Sequence, residues 1–244
     1  MGEIWPGLII TALWVGVILS VVIRFLDSKQ LVEYSPNAPA DPPLVTVVIP
    51  ARNEEHNIAR CLRSVLNSSW PALEVIVVND HSTDKTADLA RRIAAEDAAS
   101  HGGTPRVQVI DAGELPPGWF GKQWACHTAY QAAKGEILCF TDADTRHGRD
   151  LLTLSVNAMR ERGAELFTVA NKQEMVTFWE KVMQPFIFAL LLSRYGGLEG
   201  MSRTSNPMNK IANGQFMLFE RTALRILQNK RAFDLPLSLL VVVF

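Results

Sequence analysis

The sequence predicts an α/β domain, a mostly parallel sheet with helices on both faces, preceded by one N-terminal transmembrane helix. Three observations carry this. β-branched and apolar runs alternate with stretches of helical periodicity, as strands joined by helical crossovers do. Polar clusters follow three of those runs, at residues 50–54, 79–82 and 142–144, and such sheets hold ligands outside the carboxyl ends of their strands. Ahead of them, Ile4 to Ile23 contains no charged residue, and about 20 apolar residues cross a bilayer core of roughly 30 Å as a helix.

The totals exclude some classes. Hydrophobic residues make up 48% of the 244 and charged residues 20%, slightly oily for a soluble domain, with the excess concentrated locally. A net charge of -1, with no Lys/Arg-dense stripe, gives no general affinity for nucleic acid. Cys61, Cys126 and Cys139 are far apart and lack CxxC spacing. They read as buried free thiols in a reducing compartment, not a zinc site or a disulfide framework.

In order, residues 1–27 form the expected anchor. Trp5 sits at interfacial depth; Glu3 precedes the apolar run, and Arg24 and Lys29 follow it. That bias places the rest of the chain in the cytoplasm, at the cell membrane. The rival is a secretory signal; an acidic start and a long apolar run favour a retained anchor. Residues 28–43, with Pro36, Pro39, Pro42 and Pro43, read as a stiff extended linker. The domain occupies residues 44–234. Its first strand runs from Val45 to Ile49, with Pro50 ending it, Asn53 capping the next helix, and Ile58, Leu62, Val65 and Leu66 forming that helix's apolar face. Glu74 to Val78 is the second strand, and Ser82 or Thr83 caps the second helix. A strand at Val107–Ile110, a loop at 115–121, a helix from Lys122 to Ala133 and a strand entering Asp142 come next. A helix from Arg149 to Arg162 and a strand at 166–170 follow. Phe178 to Tyr195 is too short an apolar run to span a bilayer; it reads either as an interfacial helix resting on the membrane or as a buried helix. Residues 214–219 suggest one more strand, and 235–244 form an apolar tail.

Asp142 and Asp144 fall at a strand end, where side chains repeat every second residue, so both carboxylates face one side. Paired carboxylates suit a hard divalent cation, Mg²⁺ or Mn²⁺, which bridges phosphates well. The alternative is a turn in which one Asp caps the next helix, and spacing alone leaves both open.

Taken together, residues 45–54, Val77-Val78-Asn79-Asp80-His81-Ser82-Thr83-Asp84, Gly121-Lys122 and Thr141-Asp142-Ala143-Asp144 resemble family 2 glycosyltransferases, which have the GT-A nucleotide-diphospho-sugar transferase fold. Residues 115–125 and Ala212-Asn213-Gly214-Gln215-Phe216 are similar to a membrane-bound subgroup that includes the hopene-associated and ceramide glucosyltransferase-like enzymes. The resemblance implies that Pro50, Ala51, Arg52 and Glu54 line a nucleotide pocket. It implies that Asp80 accepts from the N3–H of a uracil-type base, Lys122 approaches the diphosphate, Asp142 sits near the ribose and Asp144 binds the metal. A helix cap for Asp80 and a solvated lysine for Lys122 are the plain alternatives. The implied activity is inverting transfer of a sugar, expected to be UDP-linked, to a lipid or membrane-embedded acceptor.

Family members carry a later Glu-Asp pair that supplies the general base. Residues 224–236 contain no such pair; Asp234 is the only acid there, so the catalytic base is not identified. The Gln/Arg-x-x-Arg-Trp motif and C-terminal membrane helices are likewise missing, so the expected domain is C-terminally incomplete. The alternative reading is a catalytically impaired nucleotide-sugar-binding fragment. A haloacid dehalogenase-type phosphatase is disfavoured because Arg146 stands where its motif wants Thr or Val. A dinucleotide oxidoreductase is disfavoured because no Gly-x-Gly-x-x-Gly follows the first strand.

Overall fold

A computed structural model describes residues 4–26, 30–169, 173–195 and 213–224. They divide into two units, residues 1–30 with 172–211, and residues 31–171 with 212–244.

The larger unit is built on six strands: β1 (Val45–Ala51), β2 (Leu73–Asn79), β3 (Val107–Asp111), β4 (Ile137–Thr141), β5 (Leu166–Thr168) and β6 (Phe216–Glu220). Their order is β3-β2-β1-β4-β6-β5. β3, β2, β1 and β4 pair in parallel, as the alternating sequence predicts. β6 is the exception: it runs antiparallel to both β4 and β5. Side-chain alternation splits the core in two. Val45, Val47, Ile49 and Ala51 of β1 point to one face, where they meet helices α2 (Ile58–Leu66), α3 (Thr86–Ser100) and α5 (Leu151–Glu161). Val48, Ile76, Val78 and Leu138 point to the other, against α4 (Gly121–Ala132), whose Ala125 and Ala129 let the helix approach closely. Residues such as Ile49, Leu62 and Val47 are buried almost completely, and each contributes roughly 1.5–3 kcal/mol.

Three boundary expectations are corrected. Pro50 lies inside β1, not after it, in register with Val78. The Ala51 carbonyl accepts from the Asp80 N–H at 2.8 Å, so alternation turns the Pro50 nitrogen toward β4, where pairing has already stopped at Val48–Phe140; no ladder bond is lost. Asn53 is not a helix cap. It adopts a left-handed conformation (φ 54) in a turn, and α2 begins after Asn57. Neither Ser82 nor Thr83 caps α3; the Asp84 carboxylate accepts from the Thr86 N–H at 2.9 Å.

The Pro-rich segment is strapped to the domain. The Tyr34 ring is buried, and its hydroxyl accepts from Arg162 Nε at 2.6 Å. Asn157 Nδ2 on α5 donates to the carbonyls of Ser35 (2.7 Å) and Asn37 (2.9 Å), and the buried Trp70 indole donates to the Pro43 carbonyl at 3.1 Å.

The smaller unit holds α1 (Ile4–Leu26) and α6 (Phe178–Tyr195). α6 starts with a capping box: the Thr177 N–H donates to Glu180 Oε2 at 2.8 Å, and the Glu180 N–H donates to Thr177 Oγ1. Trp14 of α1 meets Phe186 of α6 with ring centroids 5.8 Å apart. The buried-helix alternative for α6 does not hold: the successive side chains Phe186, Ile187 and Phe188 are 43%, 41% and 41% exposed, more than half of the helix circumference. Counted over the described residues, no helix is long and apolar enough to cross a membrane. Asp234 and the apolar tail lie outside the described residues.

Candidate functional site

The carboxyl ends of β1, β2 and β4 meet at one edge of the sheet. The loops after β1 and β2 are bonded along their length. The Asn53 N–H donates to Ser82 Oγ (3.1 Å), the Thr83 N–H to Asn53 Oδ1 (2.9 Å), the Glu54 N–H to Thr86 Oγ1 (2.7 Å) and the Glu55 N–H to Asp84 Oδ2 (3.1 Å). This fixes residues 52–55 without help from a ligand. The result is an open cleft of about 220 Å³ lined by Pro50, Ala51, Arg52, Glu54, Asp80, Lys122, Asp142, Ala143 and Asp144. Every residue singled out for binding from the sequence lines this one cleft.

Asp80 is the recessed end of the site, only 6% exposed. One carboxylate oxygen lies 3.0 Å from His81 Nδ1, and the other lies 3.9 Å from Arg52. The start of α4 comes so near that a Cβ on Gly121 would stand 2.5 Å from Asp80 Oδ2. A glycine there lets the helix N-terminus, with its partial positive charge, approach the carboxylate. One residue on, Lys122 Nζ donates to Asp142 Oδ1 at 2.6 Å. The Asp142 carbonyl in turn accepts from Thr145 Oγ1 at 2.7 Å, while Arg60 reaches the Asp144 carbonyl at 3.5 Å. The Asp144 carboxylate is exposed and has no hydrogen bond or ion pair among the described residues. Cys61 lies behind this turn, its Sγ 3.5 Å from the Asp142 carbonyl, and burial pushes its thiol up to about 12, so it stays neutral. All three cysteines are free.

No group of three or more His, Cys, Asp or Glu that could hold a metal occurs among the described residues. The donors present are two carboxylates one residue apart, hard oxygen ligands of the type Mg²⁺ and Mn²⁺ accept. They fit an ion completed by phosphate oxygens and water, not an all-protein cage. Reading the sequence missed His81, which orients Asp80, and the steric role of Gly121. It also missed the Thr141, Thr145 and His147 side chains behind the carboxylates. Only the adjacency of His81 to Asp80 and of Thr141 to Asp142 hinted at them.

A family model, "Glycosyl transferase family 2", matches residues 46–227. The chain belongs to glycosyltransferase family 2. Within this family-2 chain, 120 residues are 37% identical to a 4,4'-diaponeurosporenoate glycosyltransferase of Staphylococcus aureus (strain USA300), an alignment covering 49% of this chain and 29% of the relative. Among solved structures, a mannosyltransferase from Pyrobaculum calidifontis in complex with GDP-Man and Mn²⁺ superposes with a TM-score of 0.57 at 24% identity, over 89% of this chain and 56% of that one. The mixed sheet with flanking helices is thus the GT-A fold. This family-2 chain spans well under two thirds of the length of either protein.

Proposed function

We propose that this chain is a metal-assisted, inverting glycosyltransferase that moves a sugar from a nucleotide-diphospho-sugar, UDP-linked, to a lipid or membrane-embedded acceptor. The observation that carries it is the single cleft in which the recessed Asp80, the cation Lys122 and the carboxylates Asp142 and Asp144 come together. Asp80, an acceptor-only group with His81 on one oxygen, suits the N3–H of a uracil ring. Pro50, Ala51, Arg52 and Glu54 line the nucleotide's path. Lys122 offers a positive charge to the diphosphate, and Asp142 takes the ribose side. Asp144, with no hydrogen-bond or ion-pair partner among the described residues, is left to hold the cation. A bound divalent ion offsets the negative charge that develops on the nucleoside diphosphate leaving group. The general base that deprotonates the acceptor is not assigned to any described residue.

The acceptor reading draws on the relative named for glycosyl transfer to the lipid-like 4,4'-diaponeurosporenoate, and on the smaller unit. The uncharged sequence from Ile4 to Ile23 has about the length a bilayer core needs. α6 adds exposed Phe178 and Trp179 at its start and exposed Phe186 and Phe188 between Lys181 and Arg194. On this reading α1 anchors the protein in the cell membrane with the domain on the cytoplasmic side, and hopanoid-type lipids are natural acceptor candidates.

Calorimetry with UDP and Mn²⁺ tests the donor site. Asp144→Ala should weaken binding by about tenfold or more. Absence of binding to the wild type, or wild-type affinity in the variant, removes the metal-diphosphate reading, and preference for GDP over UDP removes the base assignment. Turnover of a UDP-sugar by the same preparation separates an enzyme from a binding fragment.

A further inference from the structure

We infer that His147 is a positioning residue for the donor site: as its Nε2–H tautomer it anchors Thr141, and together with the Asn213-Gly214-Gln215 turn it fixes the backbone that carries Asp142 and Asp144. This rests on the reading of those carboxylates as donor-site groups. Neither His147 nor Thr141 lines the cleft, and nothing else in the proposed chemistry uses them.

The protons around Thr141 can be assigned one by one. Thr141 ends β4 and is 1% exposed. Its Oγ1 lies 2.9 Å from the Gln215 carbonyl, 2.9 Å from His147 Nε2 and 3.0 Å from Thr145 Oγ1. A carbonyl only accepts, so the single hydroxyl proton of Thr141 goes to Gln215. Thr145 sends its own proton to the Asp142 carbonyl at 2.7 Å, again an acceptor only. The Thr141 oxygen is left to accept, and the donor that remains is His147 Nε2–H. Burial supports this by holding the ring neutral, its pKa lowered to about 4. The ring stands edge-on to Phe216 at 5.5 Å, and the His147 N–H donates to Ser64 Oγ of α2 at 2.9 Å, so its own position is fixed from two sides.

The far end of the chain of bonds is equally held. Asn213 Oδ1 accepts from the Gln215 N–H at 3.2 Å, Asn213 Nδ2 donates to the Val169 carbonyl at 3.0 Å, and the Asn213 N–H donates to Thr168 Oγ1 at 3.0 Å. The Asn-Gly-Gln signature thereby acquires a task. It presents one carbonyl to Thr141 and couples the ends of β5 and β6 to the turn that bears the carboxylates.

Histidine side-chain ¹⁵N spectra of the full chain at neutral pH should show His147 protonated at Nε2 and bare at Nδ1; the opposite tautomer overturns the proposal. His147→Phe keeps the ring but removes the donor, and His147→Gln restores a donor at similar reach. The Phe variant should shift the Ala143 and Asp144 amide resonances and weaken UDP–Mn²⁺ binding by about tenfold, with the Gln variant close to wild type. Unchanged amides and affinity in the Phe variant, or equal losses in both, overturn it. If the wild type binds no UDP–Mn²⁺, the donor reading falls, while the tautomer and amide shifts still decide whether His147 holds the turn. Should the Phe variant fail to fold, Thr141→Val removes the acceptor instead; an unaltered His147 spectrum there is equally fatal.

Discussion

At the scale of single residues, the site depends on a missing side chain as much as on the charged ones present. Gly121→Ala would place a carbon 2.5 Å from the recessed Asp80 carboxylate, which must move. The expected result is roughly a tenfold loss of UDP affinity with the melting temperature nearly unchanged, read by calorimetry and thermal denaturation; full affinity would show that Asp80 does not contact the base. His147 carries a pH dependence. Its folded pKa of about 4 lies below the ordinary 6.5, so the unfolded state binds the proton more readily. The associated stability, on the order of 3 kcal/mol, is complete above pH 6.5 and is lost as pH falls toward 4. Melting curves of wild type and His147→Gln should therefore lie close together at neutral pH and part in acid, where only the wild type loses this stability; curves that stay parallel would rule the ring out as the source. The Asp142–Asp144 pair was legible in the sequence from its place at a strand end, and Asp80 and Lys122 through the family resemblance. Gly121 and His147 were not, because what they do depends on groups brought close only by the fold.

At the scale of elements, strands and helices followed from hydrophobic periodicity, whereas caps and boundaries did not. Asn53 has the chemistry of a helix cap, but its side chain accepts from Thr83 in the neighbouring loop, and a cap rule written for one segment cannot see that competitor. Pro50 looked like a strand terminator because its missing N–H matters only if a neighbour waits to bond it, and β4 has stopped pairing by then. The junction of α4 and β4 gives an element-scale prediction. A Cβ on Gly135 would meet the Thr46 nitrogen and Oγ1 at 2.6 Å and the Leu44 carbonyl at 2.8 Å. Gly135→Ala should cost about 1–3 kcal/mol in denaturant unfolding by forcing β4 away from β1; wild-type stability would mean the backbone yields without penalty.

At the scale of the molecule, the direction of β6 was beyond reading, since an apolar run has the same pattern whichever way it points. Its course has a clear consequence. Thr168 and Asn213 are bonded to each other, so the chain between them leaves and re-enters the sheet at one place. Replacing residues 172–211 with a short Gly/Ser connection should leave a cooperatively folding α/β unit that binds UDP–Mn²⁺ with unchanged affinity. Flotation with phospholipid vesicles should show weaker membrane association of the shortened protein. Loss of nucleotide binding in a folded product would mean that the excised segment contributes to the donor site.

The antiparallel strand also sets a timetable. β4 ends at Thr141, but the strand that flanks it is not finished until Glu220. At roughly 5–20 residues per second, synthesis leaves an interval of about 4–16 s in which the parallel strands exist without their neighbour. During that time the Asp142–Asp144 turn lacks the Gln215 carbonyl that Thr141 bonds. The cleft that Asp142 and Asp144 line is then completed only once β6 is in place, well after the parallel strands that carry most of its lining.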